Sequence, residues 1–216
     1  MRVQPDDDLS QLHGASVLSG DDVVATIARR YEQRGGSQPY TSIGDRFLIA
    51  VNPNESLELQ SDQVALQYAD DYRNTTPGRE PLAPHIFRVA EQAYLHMRRT
   101  SLSQSITFIG KTEQRRLATR LFSLIREQSK RDSRLYARIQ HSDIVLEAFA
   151  HAKTVAHNNG SRVGTYMELQ FDQRGRTVGA KTLTYLLEKA RVTHVPQGER
   201  CFHVFYYLAN GATPEE

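Results

Sequence analysis

The stretch Ser105-Ile-Thr-Phe-Ile-Gly110-Lys-Thr-Glu113 sets an apolar run directly against a Gly-Lys-Thr junction, the order in which a buried strand passes into the first turn of a helix. At such a transition a loop of the form G-x-x-x-x-G-K-[S/T], about eight residues long, curls backbone N–H groups around phosphate oxygens. Only one glycine, the lysine and the threonine stand here, so five positions of the full motif are missing, and with them most of its N–H donors. The junction predicts a parallel strand at 105–109 feeding a helix at 113–127, with Lys111 at the ligand edge of a sheet. It does not predict the cradle.

The chain of 216 residues is long enough to bury a substantial core, and 39% hydrophobic with 24% charged residues is ordinary globular composition. A net charge of +2 gives no reason to expect a nucleic acid partner. Cys201 is the single cysteine, which excludes an internal disulfide and a cysteine-based zinc cluster. The opening Met-Arg-Val-Gln-Pro-Asp-Asp-Asp carries no apolar run, and no later stretch reaches the roughly 18 apolar residues of a membrane span. Neither a signal peptide nor an anchor is expected. Ala209-Asn-Gly-Ala-Thr-Pro-Glu-Glu216 follows at once on a dense apolar run, as in a chain cut from something longer.

Residues 1–19 are expected to form a flexible segment, with Asp21 or Asp22 capping a helix whose face is Val23, Val24, Ile27, Ala28 and Tyr31 and which Gly35-Gly36 ends. Phe47 to Val51 reads as a short strand closed by Asn52-Pro53, and a second helix is expected at 61–73. Pro84 suits a helix N-terminus, with Ile86, Val89, Ala90, Ala93, Tyr94 and Met97 as the apolar stripe of a helix ending near Arg99. Another helix is expected at 142–151 on a face of Ile144, Val145, Ala148 and Phe149, leading into an Asn-Asn-Gly loop at 158–160. Three strands follow, at 165–171, 182–186 and 201–206, with Gln173-Arg-Gly175 as a hairpin turn between the first two.

Residues 111–140 hold nine Lys or Arg against three Asp or Glu, which allows either a solvated helix face or a basic surface for anionic lipid or an acidic protein. The histidine pairs show no metal-ligating pattern: His85 and His96 stand eleven apart, and His151 and His157 stand six apart across a helix end. Surface or hydrogen-bonded histidines are the simpler reading.

Leu146-Glu-Ala-Phe149, Ala152-Lys-Thr-Val155, Asn159-Gly-Ser-Arg162 and Gly164 resemble the segment that leads into and forms switch I of the myosin motor domain. Tyr185-Leu-Leu-Glu-Lys189, Arg191-Val192, Gly198-Glu-Arg200 and His203-Val-Phe-Tyr206 continue the match downstream, while Ile49-Ala-Val-Asn-Pro53 and Pro84-His-Ile-Phe87 continue it upstream. Each string is weak alone; their collinear order from about residue 20 to residue 207 is specific. More narrowly, Asp7-Asp8-Leu9-Ser-Gln-Leu12, Tyr94-Leu-His-Met-Arg-Arg-Thr100 and Gly211-Ala-Thr-Pro-Glu-Glu216 resemble the motor-like region at the N-terminus of certain fungal chitin synthases. The resemblance implies an α/β fold, a P-loop NTPase of the myosin motor type, incomplete and with a shortened phosphate loop, over residues 20–216. An isolated part of that fold is expected to expose surfaces meant to be covered and to be poorly soluble or molten.

The resemblance also implies site roles. Gly110, Lys111 and Thr112 fall on the phosphate loop, with Lys111 toward the β- and γ-phosphates of ATP and the Thr112 hydroxyl on Mg²⁺. Asn52 and Pro53 fall on the loop beside the base, where Leu57 stands in place of a flat ring. In the switch I pattern Asn-x-Asn-Ser-Ser-Arg-Phe-Gly, His157 replaces the first Asn, Asn159 keeps the second, Gly160 replaces the first Ser, and Ser161, on the Mg²⁺ position, keeps the second. Arg162 keeps the arginine that pairs with a switch II glutamate, and Val163 replaces Phe. No Asp-Ile-x-Gly-Phe-Glu string supplies that glutamate, so Arg162 reads equally as a fold-stabilising arginine.

These departures predict a degenerate motor-like module of a fungal chitin synthase, structural or targeting in cell-wall synthesis, with weak or absent ATP and Mg²⁺ binding. One alternative is a working ATP-dependent, actin-associated motor domain whose sequence is incomplete. The other is the basic surface. Actin and the remainder of a chitin synthase or motor polypeptide are the implied partners, at the cytoplasmic face of the plasma membrane or of secretory vesicles.

Overall fold

The computed structural model describes residues 20–33, 39–43, 47–51, 61–73, 82–110 and 130–213. The expectations for residues 1–19, Asn52, Pro53, Leu57, Lys111, Thr112 and the helix at 113–127 lie outside the described residues. The described residues divide into two compact units, those up to Thr107 and those from Phe108 onward.

In the first unit, helix α1 spans Gly20–Gln33 and half-buries Val23, Thr26, Ile27, Arg30 and Tyr31. Their i, i+3, i+4, i+7, i+8 spacing is one helical stripe. It is rotated from the expected face, because Val24 and Ala28 point to solvent. Strands β1 (Tyr40–Ile43) and β2 (Phe47–Ala50) pair antiparallel, with Tyr40 opposite Ala50 and Ile43 opposite Phe47. The Val51 N–H extends the ladder by donating to Pro39 O at 2.9 Å.

Helix α2 (Asp62–Arg73) packs on α3 (Ile86–Thr100), burying Ala65, Tyr68 and Ala69 from the first and Ile86, Phe87, Ala90, Glu91 and Tyr94 from the second. Helix α3 begins at Ile86 under a His85 N-cap, two residues beyond Pro84, because the His85 Nδ1 accepts the Phe87 N–H at 3.1 Å. The His85 ring sits in an aromatic box of Tyr40 at 4.4 Å, Tyr68 at 5.0 Å and Phe87 at 4.4 Å between ring centres. At the other end, Ser101 turns left-handed with φ 58° and donates its N–H to Met97 O at 2.8 Å.

The strand expected at 105–109 does not form: residues 101–109 hold neither helix nor strand, and Ile109 is 96% exposed. An apolar run becomes a strand only when a neighbour takes its N–H and C=O groups. The described strands make three separate antiparallel pairs, and none of them pairs with this segment.

In the second unit, helix α4 runs Lys130–Ala150, beginning well before the expected 142. It packs against strand β6 (Thr177–Tyr185) and helix α5 (His203–Gly211). Ile139, Asp143 and Ala150 are buried, whereas Ile144, Val145 and Phe149 of the expected apolar face are exposed. Strands β3 (His151–Ala152) and β4 (Gly160–Ser161) form a short antiparallel pair around the 153–159 loop.

Strands β5 (Gly164–Phe171) and β6 form the predicted hairpin, with β6 starting earlier than expected. At its turn Gly175 adopts φ 79° and donates its N–H to Asp172 O at 2.8 Å, while the Asp172 N–H donates to Arg176 O at 2.9 Å. The strand expected at 201–206 is instead helix α5. Phe202 makes a single antiparallel bridge to Ala152, and the chain then turns helical at His203.

Candidate switch loop and its ion-pair anchor

The β3–β4 loop is closed by its own backbone. The Thr154 N–H donates to His157 O at 2.7 Å, the His157 N–H returns to Thr154 O at 3.3 Å, and Thr154 Oγ1 accepts the same His157 N–H at 3.1 Å. Thr154 also limits what fits at Gly160, where an added Cβ would lie 3.2 Å from Thr154 Cγ2. The Ser161 Oγ donates to Val163 O at 3.0 Å. That bond uses the hydroxyl proton and leaves the oxygen lone pairs for another partner.

Arg162 is fastened on several sides. Its N–H donates to Ala150 O at 2.9 Å, its carbonyl accepts the Glu188 N–H at 3.0 Å, and its Nε donates to Glu188 Oε2. Leu186, left-handed at φ 56°, turns the chain after β6 back toward this contact. Glu188 is shared with Arg191, whose Nε lies 3.0 Å from the same Oε2. Arg191 is only 2% exposed; it reaches Glu199 Oε2 at 2.8 Å and donates to Arg200 O at 3.1 Å. Glu199 in turn accepts the Val155 N–H at 3.3 Å, and the Arg200 N–H donates to Lys153 O at 2.9 Å, both within the switch loop.

The electrostatics follow this geometry. Hydrogen bonds from Arg191, then from Arg162, hold the Glu188 carboxyl below its ordinary value against the opposing effect of burial. Arg191 does the same for Glu199, aided by the Val155 N–H. Burial opposes the charge on Arg191, but its bonds to Glu188 and Glu199 outweigh that and raise its pKa. The four side chains form an alternating Arg–Glu–Arg–Glu chain that ties the loop to the 3-10 turn Lys189–Val192.

Asn159 has partners that the spacing of the histidines did not announce. His151 Nδ1 and His203 Nε2 each lie 3.0 Å from Asn159 Oδ1. His151 is buried, and the His203 ring stacks on Tyr207 with ring centres 5.9 Å apart. Burial, then the nearby Arg200 charge, lowers the His203 pKa.

Asn159, Ser161 and Arg162 are thus brought together on one loop and strand, next to Gly160. Gly110 adopts φ 114° at the last described position before Lys111 and has open space where a Cβ would stand. Among the described residues no cluster of three or more His, Cys, Asp or Glu could hold a metal ion. Mg²⁺ accepts few protein ligands and keeps several waters. Ser161 offers it one hydroxyl oxygen, while Gly160 offers none, so among the described residues one contact of this kind fits.

The chain belongs to the myosin head (motor domain) family, whose model matches residues 6–216. It is 39% identical over 220 residues to Chitin synthase 8 of Mycosarcoma maydis, covering 97% of this chain and 11% of that protein. It is 37% identical over 224 residues to Myosin IC heavy chain of Dictyostelium discoideum, covering 97% and 18% respectively. Chitin synthase 5 of Cryptococcus neoformans var. grubii is 34% identical over 229 residues, with 97% of this chain and 12% of that protein covered. The chain therefore spans less than a fifth of the length of these relatives. Its mixed α/β fold is of the myosin-head type. Among the described residues no helix is long and apolar enough to cross a membrane.

Proposed function

We propose that this chain is a degenerate motor-like module of a fungal chitin synthase, structural or targeting in cell-wall synthesis, with weak or absent ATP binding. The observation that carries the reading is the junction at Gly110-Lys111-Thr112, where five loop positions are missing. A triphosphate held there by Lys111 alone would keep its charge in water, where screened Coulomb attraction at 4 Å is worth only about 1 kcal/mol. Gly160 supports it independently, since the position lacks the hydroxyl that the motif carries. The identities of 39% and 34% to two chitin synthases support that parentage. The implied location is the cytoplasmic face of the plasma membrane or of secretory vesicles.

A fluorescent ATP analogue titrated with Mg²⁺ tests the reading. No saturable binding in the micromolar range is expected. Saturation that disappears in Lys111→Ala would overturn the degenerate reading in favour of the second, an ATP-dependent, actin-associated motor domain, which the 37% identity to Myosin IC heavy chain favours. Sequencing the coding DNA between Ile109 and Lys111 separates the two from the other side: an excluded exon encoding glycine-rich loop residues would restore the motor.

A further inference from the structure

We propose that His151 and His203 are positioning residues that lock the Asn159 side chain with its oxygen inward and its NH₂ outward, presenting a preset donor to a phosphate oxygen. The phosphate half of this inference rests on the second reading above, in which the chain binds nucleotide, whereas the locked amide holds under either reading.

A carboxamide oxygen has two lone pairs and no proton. Both are occupied, one by His151 Nδ1 and one by His203 Nε2, each at 3.0 Å. Each nitrogen facing the oxygen therefore carries a proton, which in a neutral ring is the Nδ1–H tautomer for His151 and the Nε2–H tautomer for His203. With both rings donating, turning the amide over would set its NH₂ against two N–H groups and lose both bonds. The Asn159 nitrogen keeps two protons with no hydrogen-bond partner among the described residues, on an exposed side chain one residue before Gly160.

The three residues are held from different elements, so the arrangement does not depend on one loop. His151 lies on β3 opposite Ser161 of β4, and Asn159 immediately precedes β4. His203 opens α5 directly after Phe202, which bridges Ala152. Burial and the Arg200 charge lower the His203 pKa and so favour the neutral ring, the form in which a tautomer is defined. A neutral NH₂ pair suits a phosphate oxygen because it donates without introducing a charge that needs its own counter-ion.

Long-range ¹H–¹⁵N correlation spectra of the full chain read the tautomers directly. The expected pattern is Nδ1–H for His151 and Nε2–H for His203, assigned by loss of the matching signals in His151→Asn and His203→Gln. The reversed pattern would overturn the proposal, because the amide nitrogen would then face the rings. That readout needs no ligand, so it stands or falls separately from the ATP titration.

Inorganic pyrophosphate at millimolar concentration then probes the donor. The Asn159 side-chain NH₂ signals are expected to shift in the wild type and in His203→Gln, whose amide nitrogen replaces Nε2, and to stay unmoved in His203→Leu. Equal shifts in all three proteins, or none in the wild type, would overturn the donor role. Should His203→Leu not fold, the wild-type tautomers and the His203→Gln comparison still decide.

Discussion

Arg162 and Glu188 are joined twice, once through backbone, where the Glu188 N–H meets Arg162 O at 3.0 Å, and once through side chains, where Arg162 Nε meets Glu188 Oε2. The arginine that the switch I resemblance left without a partner has one within this chain. Its side chain and that of Glu188 are each about one-third exposed, whereas Arg191, which grips the same carboxylate, is buried.

That difference in burial orders two mutations. Arg191→Ala removes a buried cation that serves two carboxylates and is expected to cost about 3 kcal/mol, near the lower end for breaking a buried pair. Arg162→Ala breaks a partly exposed pair and is expected to cost about 1 kcal/mol. Urea unfolding of both variants checks the order, and equal losses would mean that Arg162 is anchored mainly through its side chain.

The depressed carboxyls predict acid sensitivity. Glu188 and Glu199 are lowered chiefly by Arg191, and Asp172 by the Arg176 backbone N–H, then, against the opposing effect of burial, by the Arg176 side chain. A carboxyl lowered in the folded state contributes stability above its unfolded pKa, about 4.5 for Glu and 3.8 for Asp, and loses that contribution as pH falls through the folded value. The melting temperature is therefore expected to hold from neutral pH to about 5 and to drop below it. Glu188→Gln should be less stable than the wild type at pH 7 and converge with it as pH falls through the folded value of Glu188; parallel curves would remove Glu188 from the account.

Gly164 lies opposite Tyr185 in the hairpin register, and a Cβ there would meet the ring at 2.4 Å from Cε2. Gly164→Ala is expected to destabilise the chain by about 2 kcal/mol, the range of overpacking. Tyr185→Ala should cancel most of that loss in a double-mutant cycle. Additive losses would place the strain elsewhere.

Gly160→Ser restores the hydroxyl that the resembled motif carries, and its Cβ needs Thr154 to give by only a few tenths of an ångström. The stability change is expected to stay within about 0.5 kcal/mol. Phosphate release from ATP should remain at the background rate, since the substitution adds no N–H donors at Gly110. Release above background in this variant alone would count against the proposal that the shortened loop prevents ATP binding.

The hairpin was legible because alternation in 164–171 and the Asp172-to-Arg176 turn chemistry act locally, and local rules decide them. The 105–109 and 201–206 segments were misread for one shared reason. Runs of apolar and β-branched residues state a preference for strand, but only a neighbour with free backbone groups makes one, and just Phe202 of these finds it. The switch loop was legible through its strings, whereas the clasp on Asn159 was not: its two histidines lie eight residues before it and forty-four after it. No spacing rule covers such a distance.

The bridge between Ala152 and Phe202 encloses fifty intervening steps of chain. Closing a loop costs entropy that grows with its length, yet the β5–β6 hairpin brings residues 164 and 185 side by side and short-circuits the middle of it. What remains to be closed is a segment of a dozen residues on one side and about seventeen on the other. The hairpin thus shortens the path by which His203 reaches Asn159, whereas the switch loop itself closes locally between His151 and Ser161.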